Sequence, residues 1–419
     1  MTTPALDDRA DIAHPATFGH AMPYATFARL RREAPVRWTP EPDLPRHSSA
    51  GRTVHRGSGY WAVLSHAAVI EASRRPEDFS SAARGAFLVD PATRADLDQA
   101  RQLLINMDAP HHSRIRRVVT SVFTPRAVAR LTDTVHAHAR DVVAAAVAKG
   151  EIDAVADLAA ELPLLVIADL LGMPRGDRHL LYRWSNHLVG FDDPEFGGGD
   201  VEIYRRTFAE AFQYALGMAV RRRAAPGEDL VSLLANAEVE GRRLSDREFC
   251  NFWLLLVVAG NETTRHLLAN GILALAERPD QRRRLVEDPG LIGSAVEELL
   301  RWVTPIMQFR RTATRDTELA GQPIAAGDKV VLYYAAANRD PAVFAEPDEV
   351  DLGRDPNPHL AFGIGPHFCL GANLARLEAR ALLTALRPHL ANVELRGVPT
   401  RLESNFVNGL KALPVRLAS

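Results

Sequence analysis

The run Phe249-Cys250-Asn251-Phe252-Trp253-Leu254-Leu255-Leu256-Val257-Val258 constrains this chain more than any other stretch. Ser245 and Glu248 stand before it at capping-box spacing, so it starts a helix, and residues apolar on every face require that helix to be buried on every face. Only a body of other elements large enough to surround it can meet that demand. The helical pattern continues through Gly260 to about Glu277, where Pro279 stops it, giving a helix of about 33 residues and roughly 50 Å. In its middle sits Gly260-Asn261-Glu262-Thr263-Thr264. A carboxylate and two hydroxyls inside a core helix are costly without partners. A Thr-to-backbone bond with an ion pair to Arg265 or His266 would account for them, and so would a functional groove.

The rest of the chain can supply the surround. Amphipathic helical patterns fall at about 110–121, 125–148, 160–171, 177–190, 201–224, 291–303 and 370–387, broken by short Pro, Gly and Asp punctuation, with no internal repeat and no low-complexity linker. Strand signals are few: Val54 and Tyr60 to Leu64 flanking Gly57-Ser58-Gly59, Asp328 to Tyr333 after a glycine, and Pro399 to Leu417 as terminal hairpin material. The expectation is a single, mainly α domain over 1–419 with small β-sheets. Fifty Lys+Arg against 52 Asp+Glu leave a net charge of -2, which argues against a nucleic-acid reader. The two cysteines, Cys250 and Cys369, are too few for a disulfide framework or a zinc ribbon. Met1 to Pro15 carries Asp7, Asp8 and Asp11 and no apolar core, and the longest strongly apolar run, Phe252 to Ala259, falls short of the roughly 20 residues of a membrane span. Neither a targeting leader nor a membrane anchor is expected, and the reading is cytoplasmic.

Phe362-Gly363-Ile364-Gly365-Pro366-His367-Phe368-Cys369-Leu370-Gly371 carries the most chemistry. Two glycines and a proline force a tight non-helical loop that delivers Cys369 to the start of a helix from about Leu370. That place favours thiolate, because a helix N-terminus is positive and free backbone N–H groups can donate to sulfur. Such a sulfur is a nucleophile or a metal ligand, and His367 stands near enough in the chain to be a nucleophile's base. An inert buried cysteine is the plain alternative, which the flanking glycines disfavour.

These residues carry a resemblance. The loop resembles the cysteine-ligand signature of the haem-thiolate monooxygenases, the cytochrome P450 superfamily. Ala259 to Thr264 resembles the oxygen-binding kink of that family's long central helix. Glu298-Leu299-Leu300-Arg301 resembles its Glu-x-x-Arg pair, with Arg354 in the place of the arginine completing an ion-pair triad. His112-Ser113-Arg114-Ile115-Arg116 resembles the helix whose His and Arg contact the haem propionates, and Arg311 matches a later propionate arginine. The stretches keep the family's order over nearly the whole chain. The resemblance implies a P450-like fold, a long central helix over a haem b, and Cys369 as the iron ligand. It further implies that His112, Arg116, Arg311 and His367 satisfy the propionates, with His111 as the neighbouring alternative to His112. Phe362 and Gly363 would border the cofactor, Gly260 would leave room for dioxygen, and Glu262 with Thr263 would relay protons to it. Glu298, Arg301 and Arg354 read as scaffold.

The implied activity inserts one oxygen atom of O2 into a hydrophobic small molecule, and Asn261 and Arg265 around Glu262 resemble bacterial members acting on sterols, branched lipids and terpenoids. Leu256, Val303, Met307, Phe406 and Val407 are the expected pocket wall, although each reads equally well as core. The chain has no flavin or nicotinamide fingerprint, so electrons are expected from a separate ferredoxin and its reductase. Arg114, Arg117, Arg126, Arg130, Arg376 and Arg380 would steer that acidic donor to the cysteine side. A monomer is expected. One rival is a class I terpenoid cyclase using Asp192-Asp193-Pro194-Glu195 to hold magnesium, against which Pro194 and the lack of a second metal motif speak. The other is a non-enzymatic haem-thiolate sensor, which would have no use for Glu262 and Thr263.

Overall fold

The computed structural model describes residues 10–417 apart from 228 and 240. The 31-residue helix Asp246–Ala276 is the axis of the fold, and its capping box is formed: Ser245 Oγ accepts from the Glu248 N–H at 3.3 Å and Glu248 Oε2 accepts from the Ser245 N–H at 2.8 Å. Helices Glu161–Leu170, Arg178–Val189, Val201–Ala224, Ile292–Val303 and Ala372–Leu386 all pack on it. Together they bury Phe249, Trp253, Val257 and Leu268 in the largest core cluster. Helix Thr132–Lys149 then packs on Ala372–Leu386 as an outer layer. Among the described residues no helix is long and apolar enough to cross a membrane.

The 125–148 pattern resolves into two helices, Pro125–Ala129 and Thr132–Lys149. Pro279 does end the central helix, but it also opens the next one, Pro279–Glu287, because a proline costs nothing at a first helical position, where its missing N–H has no partner to lose. Short helices Tyr24–Glu33, His66–Ser73 and Arg94–Ala100 lie outside the segments where helices are expected from the sequence.

Val54 and Tyr60 belong to different sheets. Leu44–Ser48 and Gly51–His55 form their own hairpin, while Tyr60–Val63 pairs antiparallel with Val36–Thr39 and parallel with Lys329–Tyr333. The resulting five-stranded sheet continues through Gln308–Ala313 to Phe79–Ser80. Near the C-terminus, Thr400–Arg401 pairs with Leu410–Ala412, and Pro414–Leu417 joins Val393–Leu395 and Glu151–Asp153. Residues 1–9, on which the leader reading chiefly rests, lie outside the described residues.

The Asp192 to Glu195 segment is an internal brace and not a metal motif. Asp193 is fully buried, its Oδ1 accepting from the Glu195 N–H at 2.9 Å and Lys411 Nζ at 3.1 Å, its Oδ2 from the Glu403 N–H at 2.9 Å. Asp192 pairs with Arg46 at 2.5 Å. With Glu195 also paired to Lys411 at 2.9 Å, all three acids are committed and the cyclase reading loses its premise. Since the axis helix depends on its cap, Ser245→Ala is expected to lower the free energy of unfolding by about 1 kcal/mol, read from the urea midpoint.

Candidate cofactor and active site

Gly363 and Gly365 take φ of +66° and +76°, and a Cβ at Gly365 would sit 2.5 Å from the Ser73 carbonyl oxygen, so the turn needs glycine there. The Cys369 N–H donates to the Phe362 carbonyl at 2.9 Å, closing the loop. The helix begins at Ala372, later than the sequence pattern suggests. Burial pushes the Cys369 thiol up, outweighing the Gly371 N–H and the nearby Arg116 and Arg376 that pull it down. The Gly371 N–H is thus a backbone donor to the sulfur, as expected of this glycine-rich loop. His367 is turned to other partners: its Nε2 meets Ser81 Oγ at 3.2 Å, and burial with Arg311, His112 and Arg116 holds its imidazole down at about 2. A half-buried cysteine whose neighbouring histidine is engaged elsewhere suits a metal ligand, since a bound cation deprotonates it outright.

Beside the loop lies a cluster of buried nitrogen donors. His112 is 2% exposed and its Nε2 has no hydrogen-bond partner, whereas His111 is exposed. The His112 and His367 rings stand 4.3 Å apart. Arg311 lies with them, fully buried against Tyr334, and donates to the Arg310 carbonyl at 2.7 Å. Burial pulls the pKa of His112 and Arg311 below their ordinary values, and the one acid near both, Asp108, already accepts from the Ser81 N–H at 2.9 Å and from the Ser80 hydroxyl. A buried His112 Nε2 without a partner, beside an Arg311 whose one near acid is already engaged, is what a group carrying carboxylates would satisfy, so these residues fit the propionates of a haem. Arg116 stands on the cysteine side, donating to the Phe368 carbonyl at 2.6 Å.

On the central helix, Leu255, Ala259 and Thr263 form a solvent-reached stripe, while Asn261, Glu262 and Thr264 are buried. Thr263 Oγ1 donates to the Ala259 carbonyl at 2.8 Å. Glu262 points away from that stripe: it is held by Arg265 NH2 at 2.6 Å and meets His266 Nε2 at 3.1 Å, and Arg265 also donates to Asn186 at 2.8 Å and lies over the Tyr182 ring. Gly260 packs on helix Glu161–Leu170, where a Cβ would meet Ile167 at 3.1 Å.

Glu298, Arg301 and Arg354 stand together. Glu298 binds Arg301 NH2 at 2.7 Å and Arg354 Nε at 3.1 Å, and Arg301 spends its other donors on the carbonyls of Asn338, Pro347 and Glu349. The neighbouring Glu297 binds Arg376 twice at 2.7 Å, and Arg376 stacks on the Phe362 ring at 4.6 Å. Arg376, grouped by sequence with the arginines that would steer an electron donor, is thus neutralised by an acid that the Glu-x-x-Arg pattern does not mark.

Of the expected pocket wall, Val303, Met307 and Val407 are at most 1% exposed and belong to the core, while Leu256 borders the open stripe and Phe406 is half-buried. Phe406 meets Phe87 at 5.2 Å and Phe309 at 5.4 Å, and Phe87 is 40% exposed. Phe309 alternates with Arg310 and shares a strand face with Arg311, a period-2 signal in the sequence that identifies it as a site residue.

Comparison with known proteins agrees with this geometry. The family model for cytochrome P450 matches residues 290–404. A methyl-branched lipid omega-hydroxylase of Mycobacterium tuberculosis is 43% identical over 93% of this chain and 90% of its own length. A steroid C26-monooxygenase of Mycolicibacterium smegmatis is 40% identical over 98% and 94%. The structure of a Mycobacterium marinum cytochrome P450 in complex with pseudoionone superposes with a TM-score of 0.89 at 37% identity, covering 99% of this chain and all of that one.

The buried Glu262 cluster gives a test. Glu262→Gln strands Arg265 without an acid and is expected to cost about 3 kcal/mol of stability, whereas Glu262→Gln with Arg265→Met is expected to recover most of it. Chemical denaturation of the two variants checks this.

Proposed function

The chain belongs to the cytochrome P450 family and is a haem b monooxygenase; from that premise we propose that it hydroxylates the far end of a branched alkyl chain, on a sterol side chain or a methyl-branched lipid, with electrons from a ferredoxin. The observation that carries the cofactor assignment is the cluster of His112, His367 and Arg311, whose one near acid, Asp108, is taken by Ser80 and Ser81 and in which His112 Nε2 has no partner, beside the half-buried Cys369. Cys369 would ligate the iron and those three residues the propionates, with Arg116 bracing the loop behind the sulfur. Bound haem b supplies dioxygen activation and the oxidation of an unactivated C–H bond.

The protein's own residues do the rest. The Phe87, Phe309 and Phe406 rings offer an apolar wall that excludes water and suits a hydrocarbon. Thr263, on the open stripe, holds an exchangeable proton at Oγ1. Glu262 stands behind it as the next acid, and it reaches that side only by giving up Arg265 and His266. The substrate assignment draws on the two relatives: an omega position and C26 of a sterol side chain are both ends of branched alkyl chains. Arg117, Arg126, Arg130 and Arg380 are exposed, and among the described residues none is held in an ion pair, which supports a local positive face for an acidic donor on a chain of net charge -2.

Two experiments test the reading. Cys369→His is expected to abolish the thiolate-type ferrous carbonyl band and Cys250→Ala, which alters a cysteine buried in the core, to keep it; the opposite pattern overturns the ligand assignment. Reversing the charge of Arg117 and Arg380 is expected to slow reduction by ferredoxin about tenfold at low salt and to leave peroxide-driven turnover unchanged. Equal loss by both routes would point to damaged haem binding instead.

A further inference from the structure

The strand Gln308–Ala313 sends its side chains two ways. Phe309 and Arg311 both touch Tyr334 on the cofactor face, and Arg310 lies on the other face, 2% exposed. There Arg310 pairs with Asp90 Oδ1 at 2.8 Å, and Lys329 on the adjoining strand reaches Asp90 Oδ2 at 2.9 Å and Glu41 Oε2 at 2.6 Å. Two buried cations share two acids. Glu41 is 1% exposed, but the Asp90 side chain, at 27%, is carried by the loop between strand Phe79–Ser80 and helix Arg94–Ala100.

That same loop carries Phe87 to the aromatic wall. Its base is tied down before Phe87: Ala82 and Ala83 accept from Arg101, and Ala86 is bonded to Asn106 and to the Arg310 N–H. After Phe87 the ties are Leu88, buried in a core cluster with its carbonyl accepting from Arg310 at 3.3 Å, and the Asp90 cluster, which the Ser58 hydroxyl joins at 3.5 Å. Removing the Asp90 charge would leave both cations with one acid between them, a cost relieved most readily by the loop moving away.

We propose that Asp90 is a positioning residue for the substrate: by binding Arg310 and Lys329 behind the sheet, it holds Phe87 against Phe309 and Phe406 in front of it, so that an ion cluster remote from the chemistry sets the width of the aromatic wall. The proposal rests on the reading of that wall as substrate-facing. A purely structural ion cluster would lower stability and leave ligand affinity alone.

The test uses the haem-loaded enzyme and the bulky aryl azole econazole, whose binding is read from the haem absorbance without turnover. Asp90→Asn is expected to weaken econazole binding about tenfold and to speed amide hydrogen exchange across residues 86–92, and Asp90→Glu is expected to restore most of both. In a Phe87→Ala background, Asp90→Asn is expected to change affinity by less than about twofold, because the residue it acts through is gone. Unchanged affinity in Asp90→Asn, whatever the exchange, overturns the proposal, and so does an equal loss in both backgrounds. Titration of the native enzyme with cholesterol and phytanic acid keeps the two readings apart: an azole result as described with no lipid-induced shift removes the substrate class and leaves the role of Asp90 standing.

Discussion

The buried carboxylate of Glu298 governs where the reactive sulfur can stand. It holds Arg301, and Arg301 donates to the Asn338 carbonyl; Asn338 in turn accepts at its Oδ1 from the Leu360 N–H at 2.7 Å. The Leu360 carbonyl takes the Gly363 N–H, and the Phe362 carbonyl takes the Cys369 N–H, both at 2.9 Å. A connected path of bonds thus runs from an acid on helix Ile292–Val303 to the cysteine. A second path runs beside it, from Glu297 through Arg376 to the face of Phe362. Such networks are costly to bury and worth having only when complete. Here completeness fixes a loop that two left-handed glycines would otherwise leave loose.

Three groups of buried cations make the site intelligible by contrast. Arg301 has Glu298, and Arg265 has Glu262, each acid within the same helix. Arg310 and Lys329 share Asp90 and Glu41 across the sheet. Arg311 and His112, which stand with His367, share Asp108 as the one nearby acid, and its oxygens already serve Ser80 and Ser81. Where every other buried arginine and lysine among the described residues has its own acid, Arg311 beside an acid already engaged marks where a ligand carries the missing charge.

Much of this was legible in the sequence for a simple reason: long helices with an apolar stripe and a cap are specified locally. The central helix, its capping box and the helices at 201–224 and 291–303 needed no tertiary knowledge. What stayed hidden depends on partners distant in the chain. Tyr60 chooses between a hairpin and a parallel neighbour only once Lys329–Tyr333 arrives beside it. Glu262 could be read as facing the pocket, but Arg265 and His266, one turn on, draw it into the core, where an unpaired carboxylate would be too costly. Val303, Met307 and Val407 are apolar like a pocket wall and buried like a core, and residue type cannot tell these apart. The pairing of Glu297 with Arg376 is equally invisible, since neither residue lies at a helical spacing from the other.

Strand Gln308–Ala313 shows how the fold joins functions that could have been built separately. Its alternation puts the buried donor Arg311 and the aromatic ring of Phe309 on one side, with Arg310 between them on the other. The backbone that aims that donor therefore also aims part of the aromatic wall. Arg310 ties the same strand to the loop bearing Phe87, and the Met307 N–H, just before the strand, donates to the Phe406 carbonyl at 2.9 Å. Three rings from three distant parts of the chain are thus referenced to one rigid element, which also carries the buried donor Arg311. Sharing that reference is worth more than any single contact, because an error in the strand moves the rings and the donor together.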